Sequence, residues 1–165
     1  MTFPSLRASA SGMNRSFPMP SPMRRALDLA AEAAADGEVP VGAVITCDGK
    51  LVAEARNAMR GRLDPTAHAE MVAIRQAAEA LGRSRLDGCE LWVTLEPCAM
   101  CAGAIALARI SRLTFAAEDP KGGGVLHGAR VFTQPTCHHR PEVLSGIGED
   151  EAALQLRDFF AARRA

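Results

Sequence analysis

The chain has 165 residues, 48% of them apolar, and 19 basic side chains balance 19 acidic ones. That length supports one domain with its own core, and no apolar run reaches the ~18–20 residues needed to cross a membrane. The zero net charge excludes a protein held on nucleic acid by bulk charge. Arg7 and Arg15 are the only charged groups in the first 22 residues, so the remainder carries 17 basic and 19 acidic groups. Any RNA contact must therefore come from a local patch and from shape.

Residues 1–22 are rich in Ser, Pro, Met and Arg without sustained periodicity, and they read as a disordered extension. The segment overlaps in composition with organelle transit peptides, but an extended start fits it too, since Met13, Met19 and Met23 could each begin the chain. It has no apolar core of a secretory signal. Pro22 opens a predicted helix to about Ala35, with Leu27, Ala30, Ala31 and Ala34 on one face, and Asp36-Gly37 ends it. Val41 to Ile45 and Leu51 to Ala55 read as two strands joined at the hairpin signal Asp48-Gly49. Asn57 follows, either as a turn residue or as a ligand contact.

Asp64-Pro65-Thr66 is a turn-and-cap signal for a helix from Ala67 to Leu81, with apolar residues at Met71, Val72, Ile74, Ala77, Ala78 and Leu81. Cys89 to Thr94 reads as a strand that runs into a helix from Cys98 to Arg109. Ser111 to Ala117 is the next strand. The strand–helix–strand unit from 89 to 117 predicts a parallel pair with a right-handed crossover. Asp119 to Val125 is a glycine-rich loop without a P-loop pattern around it. A last helix runs from Glu149 to Arg164, with Ala152, Ala153, Leu156, Phe159 and Phe160 as its apolar stripe. The order predicts an α/β fold, a three-layer sandwich of one mixed β-sheet flanked by helices.

The chemistry concentrates in Pro97-Cys98-Ala99-Met100-Cys101 and, thirty positions earlier, His68-Ala69-Glu70. Cys98 and Cys101 fall in the first turn of their helix, where the helix dipole favours thiolates. His68 falls in the first turn of its own helix. Two helix N-termini at one sheet edge would bring all three together. Three protein ligands leave the fourth tetrahedral position of a zinc ion for water, the mark of a catalytic site. Glu70 is placed to reach that water as proton carrier. Taken alone, Cys-x-x-Cys could be a redox pair or half a zinc finger, and a lone helical His could be structural. The chain has no second Cys-x-x-Cys and no thioredoxin-like context. His-x-Glu followed by Pro-Cys-x-x-Cys is the combination of zinc deaminases acting on cytosine or adenine. Cys47, Cys89 and Cys137 are left as spares, expected to be reduced, which favours a reducing compartment. Cys137-His138-His139 could suggest a second metal site, but no matching ligand cluster accompanies it.

These motifs resemble the cytidine/deoxycytidylate deaminase superfamily, most closely the bacterial tRNA-specific adenosine deaminases. The resemblance rests on Glu38-Val-Pro-Val-Gly-Ala-Val44, Asn57, Asp64-Pro-Thr-Ala-His-Ala-Glu70 and Val93-Thr-Leu-Glu-Pro-Cys-Ala-Met-Cys-Ala-Gly-Ala104. Pro135-Thr-Cys-His-His-Arg140 and Asp158-Phe-Phe-Ala-Ala-Arg-Arg164 extend it, so it spans about residues 23–164. It implies a cytidine deaminase-like zinc-dependent domain over 23–165, hydrolytic deamination of adenosine to inosine at wobble position 34 of a tRNA anticodon loop, and a cytoplasmic homodimer with one zinc per subunit. His68, Cys98 and Cys101 would hold the zinc, and Glu70 would carry the proton. Asn57, the Ala69 N–H, Leu95 and Pro97 would fix the base. RNA contacts would fall to Asp119, Lys121, His138, His139, Arg140, Phe160, Arg163 and Arg164. The family loop Asp-x-Lys-x-Gly-Ala-x-Gly-Ser is kept only at its start, since Gly124 and the residues after it depart from Ala-x-Gly-Ser. A free-base or nucleoside deaminase of the guanine deaminase kind shares the two core motifs and is the alternative enzyme. A zinc-stabilised RNA-binding subunit without catalysis is the alternative outside enzymes, and the retained Glu70 speaks against it.

Overall fold

Asp48 and Gly49 both take left-handed backbone (φ 52° and 74°), the geometry of a tight two-residue hairpin turn. They join β1 (Gly42–Cys47) to β2 (Lys50–Arg56). The computed structural model that shows this describes residues 18–164. Of the extension expected over 1–22, residues 1–17 lie outside the described residues. Its last residues are part of the fold instead: Ser21 and Pro22 lie in the first turn of helix α1 (Ser21–Ala35), and Met19 packs beside Met23 and Leu27.

The sheet has five strands in the order β2-β1-β3-β4-β5. Strand β3 (Cys89–Leu95) is antiparallel to β1 and parallel to β4 (Arg112–Ala117), and β4 is parallel to β5 (Glu142–Ser145). The sheet is mixed, as expected. Helix α1 and the C-terminal helix α5 (Glu149–Arg164) cover one face, and α3 (Ala69–Leu81) and α4 (Ala99–Ala108) cover the other. Alternation along β1 serves both layers. Ala43 and Ile45 join Val72, Ala73 and Ala77 of α3, while Val44 joins Met23, Ala26 and Leu27 of α1. A strand buried on both faces reads as an unbroken apolar run. Gly42 is required by the close approach of α1, since a Cβ there would collide with the carbonyl of Ala26.

Helix α1 buries Met23, Ala26, Leu27, Leu29, Ala30 and Ala33. Ala31, expected on the apolar face, is exposed and Ala34 is half-buried, because the stripe turns around Leu27 rather than Ala31. On α5, Ala152 and Phe159 are buried, whereas Phe160 is 45% exposed. Three short elements carry no sequence signal: α2 (Met59–Arg62), a 3₁₀ turn at Val131–Thr133, and the edge strand β5. Among the described residues no helix is long and apolar enough to cross a membrane.

Cys47 and Cys89 are joined by a disulfide, contrary to the expectation that both are reduced spares. The cause is register. The β1–β3 pairing sets these two residues directly opposite each other, with Cα atoms 4.3 Å apart. Cys137 is free, its thiol donating to the His139 carbonyl.

Candidate active site

His68 and Cys98 each stand at the N-cap of a helix, extended (ψ 151° and 174°) just before α3 and α4 begin. Cys101 lies one turn into α4 and is fully buried. His68 Nδ1 lies 3.6 Å from Cys98 Sγ and 3.5 Å from Cys101 Sγ, and the three ligand atoms all fall within 4.8 Å of one another. Nitrogen and sulfur held about 2.05 and 2.3 Å from one tetrahedral zinc stand about 3.6 Å apart. The donor set therefore fits zinc in chemistry and in spacing. The Cys101 thiol donates to Cys98 and, with His68, lowers the Cys98 thiol to about 4, against the opposing effect of burial. Cys101 is pushed up by the same shared proton and by its burial. Hydrogen bonding to Cys98 raises His68.

Glu70, in the first turn of α3, faces this centre. Its carboxyl is fully buried, and burial raises it above the usual carboxylate range. Glu70, His68 and Cys98 line a cleft of about 270 Å³ with Asn57, Leu95 and Asp119. Val39, Val41 and Met59 give it apolar walls. Its size is near the lower end for small-ligand sites, about 300 Å³. The cleft lies at one edge of the sheet, where Val41 precedes β1, Asn57 follows β2, Leu95 ends β3 and Asp119 follows β4.

Ala69 and Pro97 have backbone partners inside the protein. The Ala69 N–H donates to Asn57 Oδ1 at 2.9 Å, and the Pro97 carbonyl accepts the Gly124 N–H at 2.8 Å. Neither residue lines the cleft. Asn57 and Leu95 do.

Glu96 also lines the cleft, and the sequence did not single it out. Its buried carboxylate accepts the N–H groups of Asp119, Val125, Leu126 and His127, and His127 Nδ1 lies 2.8 Å from it. Burial alone would raise this carboxyl, but His127 and the loop amides together hold it below the usual range. Glu96 thereby folds loop 119–127 over the cleft. Gly123 must be glycine there, since a Cβ would collide with Glu96 Oε2. The one signal was a carboxylate at the end of an apolar strand, beside Pro-Cys.

The candidate RNA residues separate into groups. Asp119 lines the cleft and caps its own loop, accepting the N–H groups of Lys121 and Gly122, while Lys121 is exposed. His138 and His139 instead line a separate groove of about 540 Å³ along α4, with His139 Nε2 donating to the Ile110 carbonyl, and Arg140 is exposed. Arg163 lies over the Phe159 ring at 3.5 Å and donates to the Gly37 carbonyl. Phe160 stacks edge-on against Phe159, and Arg164 is exposed.

Residues 20–164 match the family model of MafB19-like deaminases. The tRNA-specific adenosine deaminase of Agrobacterium fabrum is 54% identical over 142 residues, which cover 86% of this chain and 93% of that protein. This chain belongs to the tRNA-specific adenosine deaminase family, within the cytidine deaminase superfamily. The fold agrees. A structure solved in work on A-to-I editing by tRNA:A34 deaminases at the wobble position of transfer RNA superposes with a TM-score of 0.82 at 54% identity, covering 82% of this chain and 99% of that one. A guanine deaminase from Bacillus subtilis superposes less well, with a TM-score of 0.61 at 35% identity over 88% of this chain and 93% of that one.

Proposed function

We propose that the chain hydrolyses adenosine to inosine, releasing ammonia, at wobble position 34 of a tRNA anticodon loop. The observation that carries this is the buried Glu70 carboxylate facing the His68, Cys98 and Cys101 donor set inside one cleft. A structural zinc site has no use for that carboxylate. The greater likeness to tRNA-specific adenosine deaminases than to the guanine deaminase supports the RNA substrate.

His68, Cys98 and Cys101 would hold one zinc ion per subunit, which when bound would supply a water activated near neutral pH. Glu70 is placed to take one proton from a water as its oxygen bonds to C6, to deliver that proton to the purine ring, and to assist as the C6–N bond breaks and the amino group leaves as ammonia. Burial raises the Glu70 carboxyl above the usual carboxylate range, which makes it a stronger proton acceptor than an exposed glutamate. Asn57 contacts the base edge with the side-chain amide that its bond to Ala69 has oriented. Val41, Met59 and Leu95 clasp the base and exclude water. A base reaches such a cleft only from a single strand or a loop, where it can be splayed out.

Lys121 and Asp119 at the loop, and Phe160 and Arg164 on α5, contact the anticodon arm. A homodimer is supported by α4, which is apolar almost all round yet leaves Leu107 83% and Met100 37% exposed. Residues 23–165 form the catalytic domain together with the ordered residues just before them. With Cys47 and Cys89 paired, cytoplasmic location rests on the tRNA substrate alone. Ammonia release is to be measured with an anticodon stem-loop, guanine, adenosine and cytidine as separate substrates. Turnover of the stem-loop supports this reading, and turnover of guanine alone replaces it with a free-base deaminase.

A further inference from the structure

Helix α2 is a single turn, too short to hold its own shape. Its N-cap is Ala58, which has no side-chain oxygen to offer the free N–H groups of that turn. The cap comes from elsewhere in the chain. Glu38 Oε1 accepts the N–H groups of Arg60 and Gly61, both at 2.8 Å, from 22 and 23 positions upstream. These are the second and third residues of the helix, whose N–H groups a local capping side chain would take.

Glu38 is fixed where it can make that reach. Gly37 is left-handed (φ 81°), and the N–H groups of Gly37 and Glu38 donate to the carbonyls of Ala34 and Ala33, which closes α1 in a Schellman turn. The backbone of Glu38 is thereby tied to the end of α1, and its side chain alone crosses to α2. Glu38 is 6% exposed and pairs with no cation among the described residues. A charge buried without a counter-ion costs stability. The same two stretches of chain build the cleft. Val39 and Val41 follow Glu38, Asn57 and Met59 precede its partners, and all four line the cleft. The Asn57 N–H donates to the Val41 carbonyl at 3.1 Å, so the two stretches are joined at both ends.

We infer that Glu38 is a positioning residue: capping α2 from outside, it holds Met59 in place as the wall that clasps the base. This deepens the proposed function, and it rests on that reading only in taking the cleft as the place where the base binds. Glu38 does not line the cleft itself and acts through Met59.

The test measures steady-state and single-turnover kinetics of zinc-loaded, full-length protein on an anticodon stem-loop. Glu38→Met keeps the length of the side chain and removes the acceptor. It should raise KM about tenfold and leave the single-turnover rate at saturating RNA within about threefold of wild type. Glu38→Gln keeps an acceptor oxygen and should return KM to within about threefold of wild type. Met59→Ala should raise KM by a similar factor, and adding Glu38→Met to it should change KM by less than about twofold, because two substitutions that act through one contact do not add. An unchanged KM in Glu38→Met, no recovery in Glu38→Gln, or effects that multiply in the double variant overturn the inference. Met59→Ala leaves the cap intact and decides even where Glu38→Met fails to fold, since an unchanged KM there overturns the inference by itself. Wild type is read first. If it converts guanine and leaves the stem-loop unconverted, the proposed function falls, and the same variants assayed on guanine still test Glu38.

Discussion

Asn57 Oδ1 accepts the backbone N–H of Ala69 at 2.9 Å, which ties the residue after β2 to the first turn of the helix that carries His68 and Glu70. The bond is buried and satisfies one of the N–H groups that every helix start leaves without an intrahelical partner. Asn57→Ala removes it together with the amide facing the cleft. The variant should lose about 1 to 3 kcal/mol of stability, the cost of a buried unpaired group. Its kcat/KM should fall at least about a hundredfold, the effect of misplacing a catalytic group by an ångström or so. Denaturant unfolding and steady-state kinetics measure the two effects.

Glu70→Gln keeps the volume of the side chain and removes its ability to carry a proton. The zinc content should stay at one per chain, because Glu70 is not among the three donors. Turnover should fall by about 10² to 10⁴, the usual contribution of a positioned acid–base group. Metal analysis beside single-turnover kinetics checks this. Near-normal turnover would remove Glu70 from the role.

Glu96 gives an acid-side signature. Its folded carboxyl lies below the ordinary range, so its stabilising contribution is complete above the unfolded carboxyl value of about 4.3 and is lost as pH falls through the lower folded value. In zinc-free protein, Glu96→Gln should flatten the loss of stability below about pH 4.3. It should also loosen loop 119–127 and raise KM. Thermal melts across an acid pH series, compared with wild type, give the first result directly.

Leu107 stands 83% exposed on a helix with almost no polar face. If α4 forms the dimer contact, Leu107→Glu should shift the particle from twice the chain mass to once that mass in analytical ultracentrifugation. Zinc content should not change, since Leu107 lies on the opposite end of α4 from Cys98 and Cys101.

The cluster that could hold a metal was legible because each of its residues announces its position locally. Cys98 and Cys101 open one helix and His68 opens another, and side chains at helix starts need only the sheet to bring them to one edge. The Asp48-Gly49 turn and the α5 boundaries were equally local. Strand β5 was not, because Glu142, Leu144 and Ser145 are exposed and only pairing with β4 makes the segment a strand. The Cys47–Cys89 bond was hidden for a similar reason, since it follows from a register fixed only when β1 and β3 pair. The role of Glu96 depends on four amides and one histidine more than twenty residues downstream. Chemistry written into a helix start can be read from the chain, while contacts made by tertiary convergence need the fold.

The most direct test maps inosine position by position in an anticodon stem-loop that carries adenosine at the wobble position and at other loop positions. Zinc-loaded protein should convert the wobble adenosine, leave the other adenosines unchanged, and leave guanine intact in a parallel reaction. Conversion of guanine with the stem-loop untouched would contradict the account and leave a zinc deaminase of free bases in its place.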